Sequence, residues 1–314
     1  MALIFAVLFA FCTVCFPQGI GSCRAETGRK ARVVVVSSHK APPYDELLEG
    51  FKSVLTRSGK AIEIQAASCE EFQDNPKLQA GTLFPGPVNL FFTIGVRALN
   101  LIARDTPPQV PILTGMIPDT DGLPAGRNIT GVSMEFPIGA QLEKMRLLLP
   151  QSRNIGVIYS QSNSKRVELA AKVAESAGLI LHLRQVNAPS DIPEALQYLA
   201  NRIDILWAIP DDLVYTQQTA KHVLLYSFRN RIPLAGLSGS WTKAGALYSL
   251  EWDYHDMGIQ CAEIAVKLLD GAPLSSLPPI GPRKVLYTLN LKTAQHLKLT
   301  LSPGIVKGAS KVFE

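Results

Sequence analysis

The side chains in this chain that could do covalent chemistry are a serine in a glycine-rich turn, two adjacent carboxylates and five dispersed histidines. The turn reads Gly236-Leu237-Ser238-Gly239-Ser240. It falls short of the sharp strand-to-helix turn that exposes a nucleophilic hydroxyl, because Ser240 stands where a second glycine is required. Asp211 and Asp212 are neighbours whose side chains diverge on a loop, so they read as one ammonium partner and one helix cap rather than an acid–base pair. No His-Glu-x-x-His motif occurs and the cysteines form no cluster, so no metal is expected. A Gly-x-x-x-x-Gly-Lys-Ser/Thr loop is missing too, so the chain is not itself an ATPase, and no cofactor is expected. What these residues offer is recognition without turnover.

Recognition needs elements that hold it, and the hydrophobic pattern supplies them. Short continuous apolar runs alternate with helical spacings, the signature of buried parallel strands joined by crossover helices, an α/β class. Strands are expected at 32–36, 62–67, 89–95 and 110–116, with helices at 45–57 and 96–103. From Asn154 the order begins again, with strands at 154–160, 179–186, 204–210 and 232–238 and helices at 165–177, 192–200 and 216–230. The stretch 32–38 then corresponds to 154–160, 89–95 to 204–210, and 110–116 to 232–238. Alternation of this kind is common to α/β chains, and the correspondence is of pattern rather than identity. It predicts two doubly wound parallel-sheet lobes joined by a hinge near residues 134–138. The first lobe takes residues 30–135 plus 252–275, and the second takes 136–251 plus 276–314.

In open parallel sheets, ligands sit beyond the carboxyl ends of the strands, beside helix N-termini. Two facing lobes would point both sets of strand ends into one cleft. In the first lobe, Ser38, His39 and Tyr44 follow the first strand as pocket walls. Gly95 permits close backbone approach, and the amides of Val96 and Arg97 open a helix suited to a carboxylate, with Met116 completing that side. Across the cleft, Tyr159, Ser162, Asn163 and Asp211 would hold the ligand's other polar ends, while Ser238, Gly239, Ser240 and Asp253 would lie at the hinge or rim. Each Ser, Asn or Asp at such a point also suits an ordinary helix N-cap. The same character at six strand ends is what carries the reading. Trp207 reads as core, whereas Tyr44, Tyr159 and Trp241 suit walls for an apolar or aromatic ligand.

A chain of 314 residues, 47% hydrophobic and 18% charged, has room for two globular domains of ordinary size. Residues 2–16 form an almost unbroken apolar run ended by Pro17, Gly19 and Gly21. This is the layout of a secretory signal peptide over residues 1–25, and it is short for a membrane span of roughly 20 residues. Cleavage after Ala25 and lipidation of Cys23 in Ile20-Gly21-Ser22-Cys23 both fit, and both place the protein in the periplasm or another extracytoplasmic space. Removing residues 1–25 deletes one Arg and no acid, so the net charge of +5 becomes +4, with no basic run and no aromatic interleaving. Nucleic acid is therefore not an expected partner. Only Cys69 and Cys261 remain in that mature chain, as buried free thiols or a single bridge, and not as a disulfide framework.

From about Arg32 to Pro273 the sequence resembles the ABC-transporter substrate-binding proteins of the tryptophan/tyrosine type. The stretches that carry the resemblance are PPYDELLEGFKSVL from Pro42, RNITGVSMEFPIGAQLEKMRLLLPQSRNIGVIYS from Arg127, IPLAGLSGSWTKAGALYSLEWDY from Ile232, and the helix that follows Asp253. The resemblance implies the type I periplasmic-binding-protein fold. It also implies capture of a small-molecule ligand, often an amino acid, and its delivery to an ABC permease and its ATPase. A sensory role, with the closed form presented to a membrane histidine kinase, is the alternative. Two departures bear on the ligand. Gly95-Val96-Arg97-Ala98 lacks the hydroxyl of the family's usual Gly-Ser/Thr-x-Ala turn, and the usual Asp-Pro after the third strand stands here as Pro118-Asp119.

Overall fold

A computed structural model describes residues 30–72, 80–120, 123 and 128–314. The expected signal segment, including Cys23 and Ala25, lies outside the described residues.

Continuous β-branched and aromatic runs build the first sheet. Strands β1 (Ala31–Ser37), β2 (Ile62–Ser68), β3 (Leu90–Ile94), β4 (Ile112–Ile117) and β5 (Ile129–Ser133) run parallel in the order β2-β1-β3-β4-β5. The run of four valines in β1 shows why the apolar stretch is unbroken. Val33 and Val35 face one core with Leu47 and Phe51, and Val34 and Val36 face another with Ala98 and Ile102. Both faces of the strand are buried, as crossover helices on both sides require. Those helices are α1 (Pro42–Arg57), the single turn α2 (Ala80–Leu83) and α3 (Val96–Asp105).

The second sheet follows α4 (Ile138–Leu148). It comprises β6 (Asn154–Tyr159), β7 (Ile180–Gln185), β8 (Ile205–Trp207), β9 (Leu234–Gly236) and β10 (Tyr248–Trp252), all parallel, connected through α5 (Ser164–Ser176), α6 (Ile192–Leu199), α7 (Gln217–Arg229) and α8 (Gly239–Ala244). After α9 (Tyr254–Leu269) the chain adds β11 (Val285–Asn290), α10 (Leu291–His296), α11 (Pro303–Gly308) and β12 (Lys311–Phe313). The order is β12-β11-β10-β9-β8-β6-β7. Adding five to each strand number of the first sheet reproduces β7-β6-β8-β9-β10, so the two lobes share one plan. The second departs from pure parallel pairing at its edge, where β11 runs antiparallel to β10.

Three segments cross between the sheets. The first leaves β5 and enters α4 through Met134, Glu135, Phe136 and Pro137. The second leaves β10 at Trp252 and enters α9, which returns to the first sheet and packs on α1. Their crossing is close because Gly50 and Gly258 lack side chains: a Cβ on either would lie 2.0 Å from the carbonyl oxygen of His255 or Leu47. The third runs back toward β11 and lies along β5, with Ser133 donating to the Ile280 carbonyl at 2.9 Å and Ile280 donating to that of Gly131 at 3.0 Å. Cys69 and Cys261 are both buried free thiols, on opposite faces of the first sheet.

Candidate ligand-binding site

Strand ends from both sheets meet around one cavity of about 310 Å³. The first lobe contributes Pro118 and Asp119 beyond β4, and the crossover beyond β5 contributes Met134, Glu135 and Phe136. The second lobe contributes Trp207, Ala208 and Pro210 from β8 and the turn after it, and Ala235, Gly236 and Leu237 from β9. Tyr248, Leu250 and Trp252 come from one face of β10, because alternate residues of a strand point the same way. Gln141 of α4 and Arg166 of α5 complete the wall.

Most of that wall is apolar and aromatic, and most of its polar atoms are already engaged. The Phe136 and Trp252 rings stack at 4.9 Å between centroids, with planes 14° apart. The Trp252 indole donates to the Met134 carbonyl at 2.7 Å, tying the first crossover to the second. The Trp207 indole donates to Gln141 Oε1 at 3.2 Å, and Gln141 Nε2 donates to the Phe136 carbonyl at 2.8 Å. An ion pair stands in the wall, Arg166 Nη2 to Glu135 Oε1 at 3.1 Å, with both side chains about one-third exposed or less. It joins the crossover to the second lobe. Each partner keeps polar capacity beyond that contact, since a carboxylate offers two oxygens and a guanidinium five N–H groups.

None of the residues expected from sequence to contact a ligand lines this cavity. In the first lobe Ser38, His39, Tyr44, Gly95 and Val96 do come together. The Ser38 hydroxyl accepts from the Ala98 amide at 3.0 Å, which makes it a clamp on the first turn of α3. A Cβ at Gly95 would sit 2.6 Å from Ser38 Oγ and 3.3 Å from the Tyr44 ring. The His39 and Tyr44 rings meet edge to face at 5.7 Å, and His39 also lies 3.5 Å from Glu70. Gly95 donates its own amide to the Gly115 carbonyl, which leaves those of Val96 and Arg97 to open the helix. Met116 adopts a left-handed conformation, with φ of 55°, where the β4–β5 register shifts.

Across the cleft, Asp211 fastens the turn that follows β8. It is buried, and its carboxylate accepts from the Ser160 amide and hydroxyl, from Asn163 Nδ2, and from the Leu213 and Val214 amides at 2.8–3.1 Å. Burial alone would raise its pKa, but these hydrogen bonds outweigh burial and hold the carboxyl below its ordinary range. Five protein donors thus occupy the acceptor sites of a carboxylate expected from sequence to hold a polar end of the ligand. Ser162 bonds to the Ser160 hydroxyl at 2.8 Å, and Tyr159 packs against the core of the second lobe. Ser238 and Gly239 line a separate, open recess of about 600 Å³ on the other side of Trp252, where Gly239 donates to Glu251. Asp253 caps α9 through the Asp256 amide at 2.9 Å and pairs with Lys284.

Sequence reasoning thus missed Glu135, Phe136, Gln141, Arg166, Tyr248 and Trp252. Glu135 and Phe136 carried a usable signal. They directly follow β5, at a point whose sequence also reads as a hinge.

Comparisons with known proteins bear on the family and the fold. The sequence profile of the family described as ABC transporter substrate binding protein matches residues 110–313. A tyrosine-binding protein of Clostridioides difficile (strain R20291) is 24% identical over 253 residues, spanning 76% of this chain and 72% of its own. Among solved structures, the ABC domain in complex with L-Trp from Streptococcus pneumonia is 25% identical, with a TM-score of 0.54, over 91% of this chain and 100% of that one. The ligand-free, open structure of a substrate binding protein with adhesive properties from Clostridium difficile gives a TM-score of 0.66 at 22% identity, over 90% and 99% of the two chains. At that identity the likeness speaks for the fold.

Proposed function

Since the chain belongs to the ABC transporter substrate binding protein family, we propose that it captures an aromatic amino acid in the cavity between its lobes and hands it to a membrane permease driven by an ATPase. The observation that carries this reading is the aromatic cavity at the strand ends of both sheets, with the Glu135–Arg166 ion pair in its wall. Its volume of about 310 Å³ lies at the small end of the roughly 300–1,000 Å³ typical of ligand pockets, which suits one amino acid better than an oligomer. The stacked Phe136–Trp252 pair and Trp207 suit a flat ring. Glu135 and Arg166 suit the two charges of a zwitterion: the ligand ammonium replaces Arg166 at the carboxylate, and the ligand carboxylate replaces Glu135 at the guanidinium. The names of two relatives, one binding tyrosine and one solved with L-Trp, agree with this class.

The apolar segment over residues 1–25 supports export to an extracytoplasmic space, by cleavage or through a lipid anchor at Cys23. Among the described residues no helix is long and apolar enough to cross a membrane. Ligand contacts on both lobes would favour the closed arrangement by their greater affinity for it.

A thermal-shift screen tests the reading. L-tryptophan or L-tyrosine at 100 times its dissociation constant should stabilise the protein by about 2.7 kcal/mol. Tryptamine, which lacks the carboxylate, and indole-3-propionate, which lacks the ammonium, should give far smaller shifts. Equal shifts for all of them would remove the zwitterion clamp, and no shift with any aromatic amino acid would remove the ligand class.

A further inference from the structure

Tyr248 presents a polar atom that the fold leaves unused. The residue is 2% exposed, in the core of the second lobe, and it lines the cavity. No described residue hydrogen-bonds to its hydroxyl. Buried tyrosines ordinarily find a partner for that group, because leaving it dry and unpaired costs free energy. The hydroxyls of Thr114 and Tyr215 are also unpartnered, but they are sealed from solvent and neither residue lines the cavity. The other ring donors of the wall, on Trp207 and Trp252, are both occupied by protein acceptors. Tyr248 is the exception among the aromatic groups that could bond to a guest.

Its position matters as much as its chemistry. Tyr248, Leu250 and Trp252 share one face of β10, and Trp252 closes the strand. At about 3.4 Å per residue, Tyr248 lies about 14 Å back along the strand from that end. Glu135 and Arg166 belong to the strand-end side, on the crossover and on the first turn of α5. A guest whose charged head sits at the ion pair would therefore extend its ring toward Tyr248. Burial pushes the Tyr248 pKa up, so the group is a neutral phenol that can donate or accept.

We propose that Tyr248 reads the tip of the ligand's aromatic side chain, so that the cavity favours rings carrying a hydrogen-bonding group, an indole N–H or a phenol O–H, over a bare phenyl ring. The inference rests on the aromatic amino-acid reading above and adds a specificity-determining residue to it. A site built to hydrogen-bond a substrate group rejects the analogue that lacks it, because the site's own polar atom is then left unpaired.

The test is isothermal titration calorimetry of the intact protein and of Tyr248→Phe with L-tryptophan, L-tyrosine and L-phenylalanine. In the unaltered protein, the better of tryptophan and tyrosine should bind about tenfold more tightly than phenylalanine, the scale of one good neutral hydrogen bond. In Y248F that ratio should collapse to about twofold or less, with phenylalanine bound at least as tightly as by the unaltered protein, which also reports an intact cavity. Equal affinity for all three in the unaltered protein overturns the proposal without any variant, and so does a preference that survives in Y248F. If the three ligands bind without tip discrimination, only the role of Tyr248 falls. If none binds, the amino-acid reading falls with it.

Discussion

At the end of β1, the Ser38 hydroxyl accepts one hydrogen bond, from the Ala98 amide at the start of α3. At the end of β6, the strand equivalent to β1, five donors converge on the carboxylate of Asp211 in the loop after β8, the equivalent of β3. Both straps fasten the end of the first strand to the segment that follows the third. One is a neutral hydroxyl beside a glycine, and the other is a buried charge. A shared sheet order therefore does not dictate shared rim chemistry. The first lobe ties its first strand end with a neutral hydroxyl, whereas the second satisfies its own amides with a carboxylate. Neither strap has much left to offer a ligand, and the cavity forms beside them, where the crossovers bring aromatic rings together.

The contrast can be broken most forcefully at Asp211. Asp211→Ala leaves the Ser160, Leu213 and Val214 amides without their acceptor, and should cost about 3–5 kcal/mol in a denaturant titration, on the scale of breaking a buried charged network. Gly95→Ala should cost about 1–3 kcal/mol, because φ is 90° there and the new Cβ would press on Ser38 and Tyr44. Ser38→Ala removes one neutral clamp and should cost only about 1 kcal/mol in the same titration. Equal losses for S38A and D211A would erase the distinction between the straps.

The smallest effect is also the most selective, since only one strap titrates. The folded Asp211 carboxyl has a pKa below its ordinary value of 3.8. Its stabilisation is therefore fully present above that unfolded value and is lost as pH falls through the lower folded value. The stability gap between the unaltered protein and D211A should narrow on acidification below about pH 4, while the gap for S38A stays constant. Urea titrations at neutral pH and at pH 3 would show it.

Much of the scaffold was legible because continuous apolar runs admit few alternatives in an α/β chain. The expected strand at 32–36 is β1, those at 62–67 and 154–160 are β2 and β6, and the repeated order holds across both sheets. The ends were overrun by a few residues: 204–210 shrinks to the three residues of β8, after which Ala208 and Pro210 line the cavity and Ile209 packs into the second lobe's core. The C-terminal strands β11 and β12 were not foreseen, since their burial depends on pairing with β10, which no local pattern announces. The cavity was harder to read for a related reason. Polar residues after strands are engaged by backbone amides of their own fold, Ser38 by that of Ala98, Asp211 by those of Leu213 and Val214, and Asp253, a helix N-cap, by that of Asp256. Tyr248 and Trp207 look like core residues by any periodicity, and Glu135 meets Arg166 only through the fold.

Solution X-ray scattering with and without saturating L-tryptophan tests the central claim most directly, that two lobes of one plan close on an aromatic amino acid held between them. The account predicts a smaller radius of gyration when the ligand is bound. Calorimetric binding with an unchanged radius of gyration would contradict it.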